Sequence, residues 1–138
     1  MRKQLVFRTW IVMILLLAAC TAAPANSPLV GTWSLQSFGS VSAPQAALPE
    51  ISANLTFSDK GQVSGSMGCN SFGGGYSLRD SKIVFEPLTS TLMACEEAVM
   101  NQEAAVLQML AGEVEYTLEN NTLTLRSGDQ ILVLQAQK

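Results

Sequence analysis

Three cysteines, Cys20, Cys69 and Cys95, and eleven carboxylates are the residues best able to do chemistry, and the chain holds no histidine to work with them. A thiol nucleophile needs a base, and Cys95 has only Glu96 beside it, with a helix N-terminus as the other way to lower its pKa. Ser-His-Asp hydrolysis, Cys-His proteolysis and a His-ligated zinc site cannot be assembled. The carboxylate pairs Glu96 with Glu97 and Glu113 with Glu115 remain. Successive helical residues point to different sides, and an i, i+2 pair shares one strand face without forming a cleft, so both pairs read as solvated. Neither SLRDSK (77–82) nor NNTLTLRSGD (120–129) spaces oxygen ligands as a calcium loop does. SFGGGY (71–76) has no following Lys-Ser/Thr and so is no phosphate loop; its glycines read as a tight turn or bulge. No catalytic residue, metal or cofactor is expected.

The remaining thiol, Cys20, belongs to a different kind of chemistry. Arg2, Lys3 and Arg8 precede an uncharged apolar run, Trp10 to Ala19, which is the layout of a secretory signal peptide. The run is short for a spanning helix, which needs about 17–25 apolar residues. Leu17-Ala18-Ala19-Cys20 resembles the bacterial lipobox, in which a peptidase cuts before the cysteine and the thiol takes a diacylglycerol. A retained membrane helix or an ordinary signal peptide with an incidental cysteine are the alternatives. The expected organisation is a signal peptide over 1–19, a flexible tether over 20–28 (CTAAPANSP) and one domain over 29–138. Lipid on Cys20 would make the membrane a partner, and Thr21 in place of Asp resembles lipoproteins carried to the outer membrane. In a Gram-negative host the domain would then face the periplasm.

Cleavage before Cys20 removes three of the eight Lys and Arg residues and none of the eleven Asp and Glu residues, leaving a formal charge of −6. Such an acidic domain has no basic stripe for nucleic acid. Strand signals fill its first half: LVGTWSLQSF (29–38), a hairpin over 54–68 turning at Asp59-Lys60-Gly61, and a strand pair around Arg79-Asp80. EEAVMNQEAAVLQMLAG (96–112) is a helix by composition, with Val99, Val106, Leu107 and Leu110 on one face and Gly112 as its stop. Met93 and Met100 are assigned to the core. Three strands follow, split by Asn120-Asn121 and Ser127-Gly128-Asp129. Strands, one helix and strands again give an α+β class with an antiparallel sheet.

Three pieces are more specific together than apart: GTW (31–33), GCNSFGGGY (68–76) and LTSTLMAC (88–95) followed by an acidic amphipathic helix. They resemble the META domain, the family of the heat-shock protein HslJ. The resemblance implies a curved antiparallel β-sheet or open barrel with one α-helix packed against it. It also implies a bacterial envelope protein, often a lipoprotein, linked with stress or drug tolerance and without established catalysis. In an oxidising compartment, with Cys20 acylated, Cys69 and Cys95 form the one intrachain pair available. Trp33 is expected in the core, although G-x-W also resembles the lipocalins. Asn70, Phe72 and Tyr76 around the glycines form a candidate contact site, against the commoner alternative of buried rings. The functional expectation is a non-enzymatic, lipid-anchored envelope protein that binds another envelope component. The alternatives are a carrier of a lipid or other apolar ligand and an inhibitor of a hydrolase.

Overall fold

Period-two alternation makes the strands, and tight turns fold them onto one another. The computed structural model describes residues 27–138. Its elements are β1 (Gly31–Ser40), β2 (Ala43–Ala46), β3 (Asn54–Phe57), β4 (Gln62–Ser66), β5 (Ser71–Arg79), β6 (Lys82–Phe85), β7 (Thr89–Ser90), α1 (Glu97–Met109), β8 (Gly112–Glu119), β9 (Thr122–Ser127) and β10 (Gln130–Ala136). The signal peptide, Cys20 and most of the expected tether lie outside the described residues.

Eight strands follow one another around a circuit, β1-β3-β4-β5-β6-β8-β9-β10, with every pairing antiparallel. The circuit closes because β10 returns to β1, from Trp33 opposite Ala136 to Ser40 opposite Gln130, with a register shift between Leu35 and Ser37. The result is an eight-stranded antiparallel barrel with one helix packed against it. Eight strands fit into so short a domain. Economy comes from β3 and β6 at four residues each, and from two-residue turns at Asp80-Ser81, Asn120-Asn121 and Gly128-Asp129. Asp80 and Asn120 take φ of 54° and 55°, a conformation that short polar side chains tolerate. Two strands that the alternation did not reveal lie off the circuit: β2 pairs with the second half of β1, and β7 with β5.

The barrel interior is filled by side chains. Leu55, Phe57, Val63, Ile83, Leu123, Leu125, Leu132 and Leu134 are buried. Tyr76 packs edge-on to Phe57 with ring centroids 4.9 Å apart, and its hydroxyl donates to the Ser58 carbonyl at 2.7 Å. Burial, and secondarily the Asp59 carboxylate, hold that phenol above its ordinary value of 10.0. Trp33 is also buried and donates through Nε1 to the Leu29 carbonyl at 2.9 Å, fixing the incoming chain.

Two expectations need correction. SFGGGY is no turn or bulge: its glycines lie inside β5, with φ outside the left-handed region, and all three pair with β4, Gly73 at Ser64, Gly74 at Val63 and Gly75 at Gln62. The glycines make room instead. A Cβ at Gly74 would stand 2.7 Å from Leu88 Cδ2 and 3.3 Å from the Pro87 carbonyl, so residues 87–88 cross β5 where no side chain intervenes. Met93 and Met100 are likewise not core but 57% and 42% exposed. Helical period identifies a face without saying what covers it, and the inward stripe of α1 is instead Val99, Gln102, Glu103, Val106 and Met109.

Gly74→Val is expected to destabilise the domain by about 1–3 kcal/mol, the range for overpacking, because Leu88 and the Pro87 backbone must move. Urea denaturation checks this. Gly73→Ala is the control, since a Cβ there would stand 3.4 Å or more from its neighbours.

Candidate functional site

The helix lies at the barrel end where β4 and β6 finish and β5 and β8 begin, and two adjacent side chains attach it there. Gln102, fully buried, accepts from the Leu48 N–H through Oε1 and donates through Nε2 to the Met67 carbonyl, both at 2.9 Å. Glu103 accepts from the Asn70 backbone N–H at 2.6 Å and from Asn70 Nδ2 at 2.7 Å, one carboxylate oxygen for each donor. Asn70 continues the connection outward. Its Oδ1 accepts from the Met93 N–H at 2.7 Å and from Thr91 Oγ1 at 2.9 Å. Among the described residues, no buried side-chain nitrogen or oxygen lacks a partner.

A covalent link runs beside this network. Cys69 and Cys95 are joined, with Cα atoms 5.9 Å apart, so the strand end before Asn70 is bonded to the residue two positions before α1. The segment from Glu86 to Ala94 is thereby held at three places: by the disulfide, by Asn70, and by β7 against β5. Its pinned course leaves a groove between itself and α1.

One lobe of the groove, about 430 Å³, lies among Thr91, Leu92, Met93, Met100 and Ala104. The next, about 450 Å³, lies among Pro87, Leu88, Leu110 and Ala111. Ser90 and Leu107 line both. Among the described residues, Leu92 (96% exposed), Met93 and Met100 are the exposed large hydrophobic side chains, and all three border this groove. Such clustering marks contact surfaces, whereas single scattered apolar residues do not. Hydroxyls in the wall have structural partners: Thr91 Oγ1 donates to Asn70, and Ser90 Oγ donates to the Thr91 carbonyl. The chemistry that this arrangement offers is burial of apolar groups.

Charge around the groove is one-sided. Glu86 lines one lobe, and Glu96 and Glu97 stand one helical turn before Met100, whereas no Lys or Arg lines either lobe. Two cations of β5 and β6 lie at the other end of those strands, where Lys82 meets Glu113 at 2.6 Å and Arg79 meets the same carboxylate at 3.7 Å. The bond to Glu113 raises the Lys82 pKa, and the same bond lowers that of Glu113.

The residues proposed from sequence are thus divided. Cys69 and Cys95 come together. Asn70, Phe72 and Tyr76 are all buried, so they form no exposed contact site; Phe72 and Tyr76 point inward from β5, and Asn70 acts from beneath the groove. Sequence reasoning missed Gln102, Glu103 and the apolar groove wall. A signal was present: Met100, Ala104, Leu107 and Ala111 fall at offsets 0, 4, 7 and 11, a second apolar stripe on a helix whose first stripe already faces the barrel.

A family model described as the META domain matches residues 27–138. The chain belongs to the META domain family. The META domain here is similar to a protein from Burkholderia xenovorans solved by NMR, at 24% identity and a TM-score of 0.68, covering 80% of this chain and 84% of that one. A second NMR structure is 25% identical over 78% of this chain and 90% of that one, with a TM-score of 0.62. A crystal structure of a DUF4847 family protein from Bacteroides vulgatus shares the fold at 16% identity and a TM-score of 0.57, covering 80% of this chain and 94% of that one. No curated protein matches the chain.

Replacing Asn70 by Ala in this META domain should cost about 1–3 kcal/mol, because the buried Glu103 carboxyl group keeps the backbone N–H of residue 70 but loses the Nδ2 donor, and the Met93 N–H and the Thr91 hydroxyl lose their acceptor. Urea denaturation measures that loss, and limited proteolysis should find new cleavage between residues 86 and 94. Reduction of Cys69–Cys95 should lower the melting temperature, since a loop of about 27 residues is worth roughly 3–4 kcal/mol in the chain-entropy model. Equal melting with and without reductant would show that the bond contributes nothing to stability.

Proposed function

We propose that this protein is a non-enzymatic, lipid-anchored envelope protein whose META domain docks another envelope component through the groove between α1 and residues 86–94. The observation that carries the reading is the collection of Leu92, Met93 and Met100 at one groove while the barrel interior is filled. The buried leucines and aromatic rings occupy the barrel interior, so an apolar ligand held between sheet and helix would use this same groove of several hundred Å³, which keeps a carrier of a lipid or other apolar molecule as the second reading. The anchor is argued from Leu17-Ala18-Ala19-Cys20 after a basic and then apolar stretch. One fatty chain holds a protein to a bilayer only marginally, so a diacylglycerol thioether on Cys20, with N-acylation, supplies the stable attachment. The short segment before Leu29 then lets the domain reach neighbours in the envelope. A maintenance or stress-tolerance role follows from the family resemblance.

Two measurements test the reading. Cys20→Ala should abolish fatty-acid labelling and move the protein from the membrane fraction to the soluble fraction; unchanged labelling and fractionation would remove the anchor. A photo-crosslinking residue at Leu92 should give a discrete adduct in intact cells, absent when the same residue is placed at Lys60 in the β3–β4 turn. Adducts of equal yield from both positions would remove the groove as the docking face.

A further inference from the structure

The groove has a charge pattern along its length as well as an apolar floor. It follows α1 from Met100 to the helix end at Met109 and the turn beyond it to Ala111, eleven residue steps and therefore about 16 Å. Glu96 and Glu97 stand at its first end, both exposed and one turn from Met100. At its second end stand Glu86 and the carboxyl terminus of α1, whose last turn carries no basic residue to offset its partial negative charge. Among the described residues, the ion pairs join Arg79 and Lys82 to Glu113, and none reaches Glu86, Glu96 or Glu97. An acidic site therefore flanks each end of an apolar trough. Ser90, which lines both lobes, belongs to β7, a strand paired on one side only, by β5. A strand with an open edge can receive an extended segment by main-chain pairing.

Resting on the docking role proposed above, we infer that the groove's occupant is an extended peptide segment of a partner protein, about five apolar residues long, with a Lys or Arg at each end. About 16 Å is the span of five extended residues at about 3.3 Å each, so the flanking cations reach Glu96 and Glu97 at one end and Glu86 at the other. A bilayer surface suits the site less well. Exposed glutamates on both flanks of Leu92 and Met100 would have to approach lipid headgroups, and envelope leaflets rich in anionic lipid repel them.

The test uses the full chain reconstituted in phosphatidylcholine nanodiscs and three fluorescein-labelled peptides with the same five-residue apolar centre. These are flanked by lysine, by serine or by glutamate, and binding is read by fluorescence anisotropy. The lysine-flanked peptide should bind saturably, more weakly as salt rises, and about tenfold more weakly to the variant carrying Leu92→Ser and Met100→Ser, both at exposed positions. Glu96→Gln with Glu97→Gln should weaken the lysine-flanked peptide and leave the serine-flanked one unchanged. Equal binding of the lysine- and serine-flanked peptides would overturn the cationic specificity and leave the docking groove standing. Equal binding to the wild type and the Leu92/Met100 variant would overturn the groove itself. Absence of binding by all three peptides, with Leu92 crosslinks intact in cells, would overturn the peptide occupant alone. An environment-sensitive dye at Leu92→Cys that shifts to the blue without peptide would place the groove against lipid, which also overturns the inference.

Discussion

The bond from Asn70 to Glu103 is the contact on which the other parts depend. A barrel that closes by hydrogen bonds between strands satisfies its backbone along its staves but not at its ends, where strands stop and chains turn. At this end α1 supplies the missing partners from two adjacent residues. Gln102 serves the carbonyl of Met67 and the N–H of Leu48, and Glu103 serves the N–H of Asn70. Because Asn70 passes the connection to Met93 and Thr91, a single buried carboxyl group fixes the helix seat, the strand end beside the disulfide and the outer wall of the groove.

That arrangement leaves the exposed apolar side chains outside the barrel. An eight-stranded barrel is close to the size at which side chains just fill the interior, and here leucines, Phe57 and Tyr76 do so. Leu92, Met93 and Met100, the exposed large apolar side chains among the described residues, lie on the helix and its neighbouring segment. The glycines of β5 contribute indirectly. By carrying no side chain, Gly74 lets Pro87 and Leu88 lie across the strand, which sets one wall of the trough at its present height.

Much of the fold was legible in the sequence because its signals are local. The turns at Asp59-Lys60-Gly61 and Asn120-Asn121 stand where turn chemistry put them, those expected around Arg79-Asp80 and Ser127-Gly128-Asp129 fall at Asp80-Ser81 and Gly128-Asp129, and the strands between them follow period two. The helix starts at Glu97, one residue inside the expected run. Strands β2 and β7 were not legible. One is APQA within a Ser, Ala and Pro loop and the other is two residues long, so neither carries enough alternation to register. The triple glycine was misread for a related reason: glycine signals freedom or missing bulk equally well, and only the crossing of Leu88 over Gly74 tells which.

The sequence by itself determined the antiparallel hairpins, the helix α1, the pairing of Cys69 with Cys95 and the exclusion of histidine-dependent chemistry, all of which depend on residue identity or short spacing. Tertiary structure alone decided three further things: closure of β10 onto β1, the burial of Asn70 with Glu103, and the exposure of Leu92, Met93 and Met100. The physical reason is common to them. Periodicity states which residues share a face, but a helix with two apolar stripes has two faces that could be core, and the choice falls to whichever one meets the barrel. Here the stripe carrying Gln102 and Glu103 meets it, because only polar side chains can complete the hydrogen bonds at a barrel's end. The purely apolar stripe of Met100, Ala104, Leu107 and Ala111 is left facing the groove.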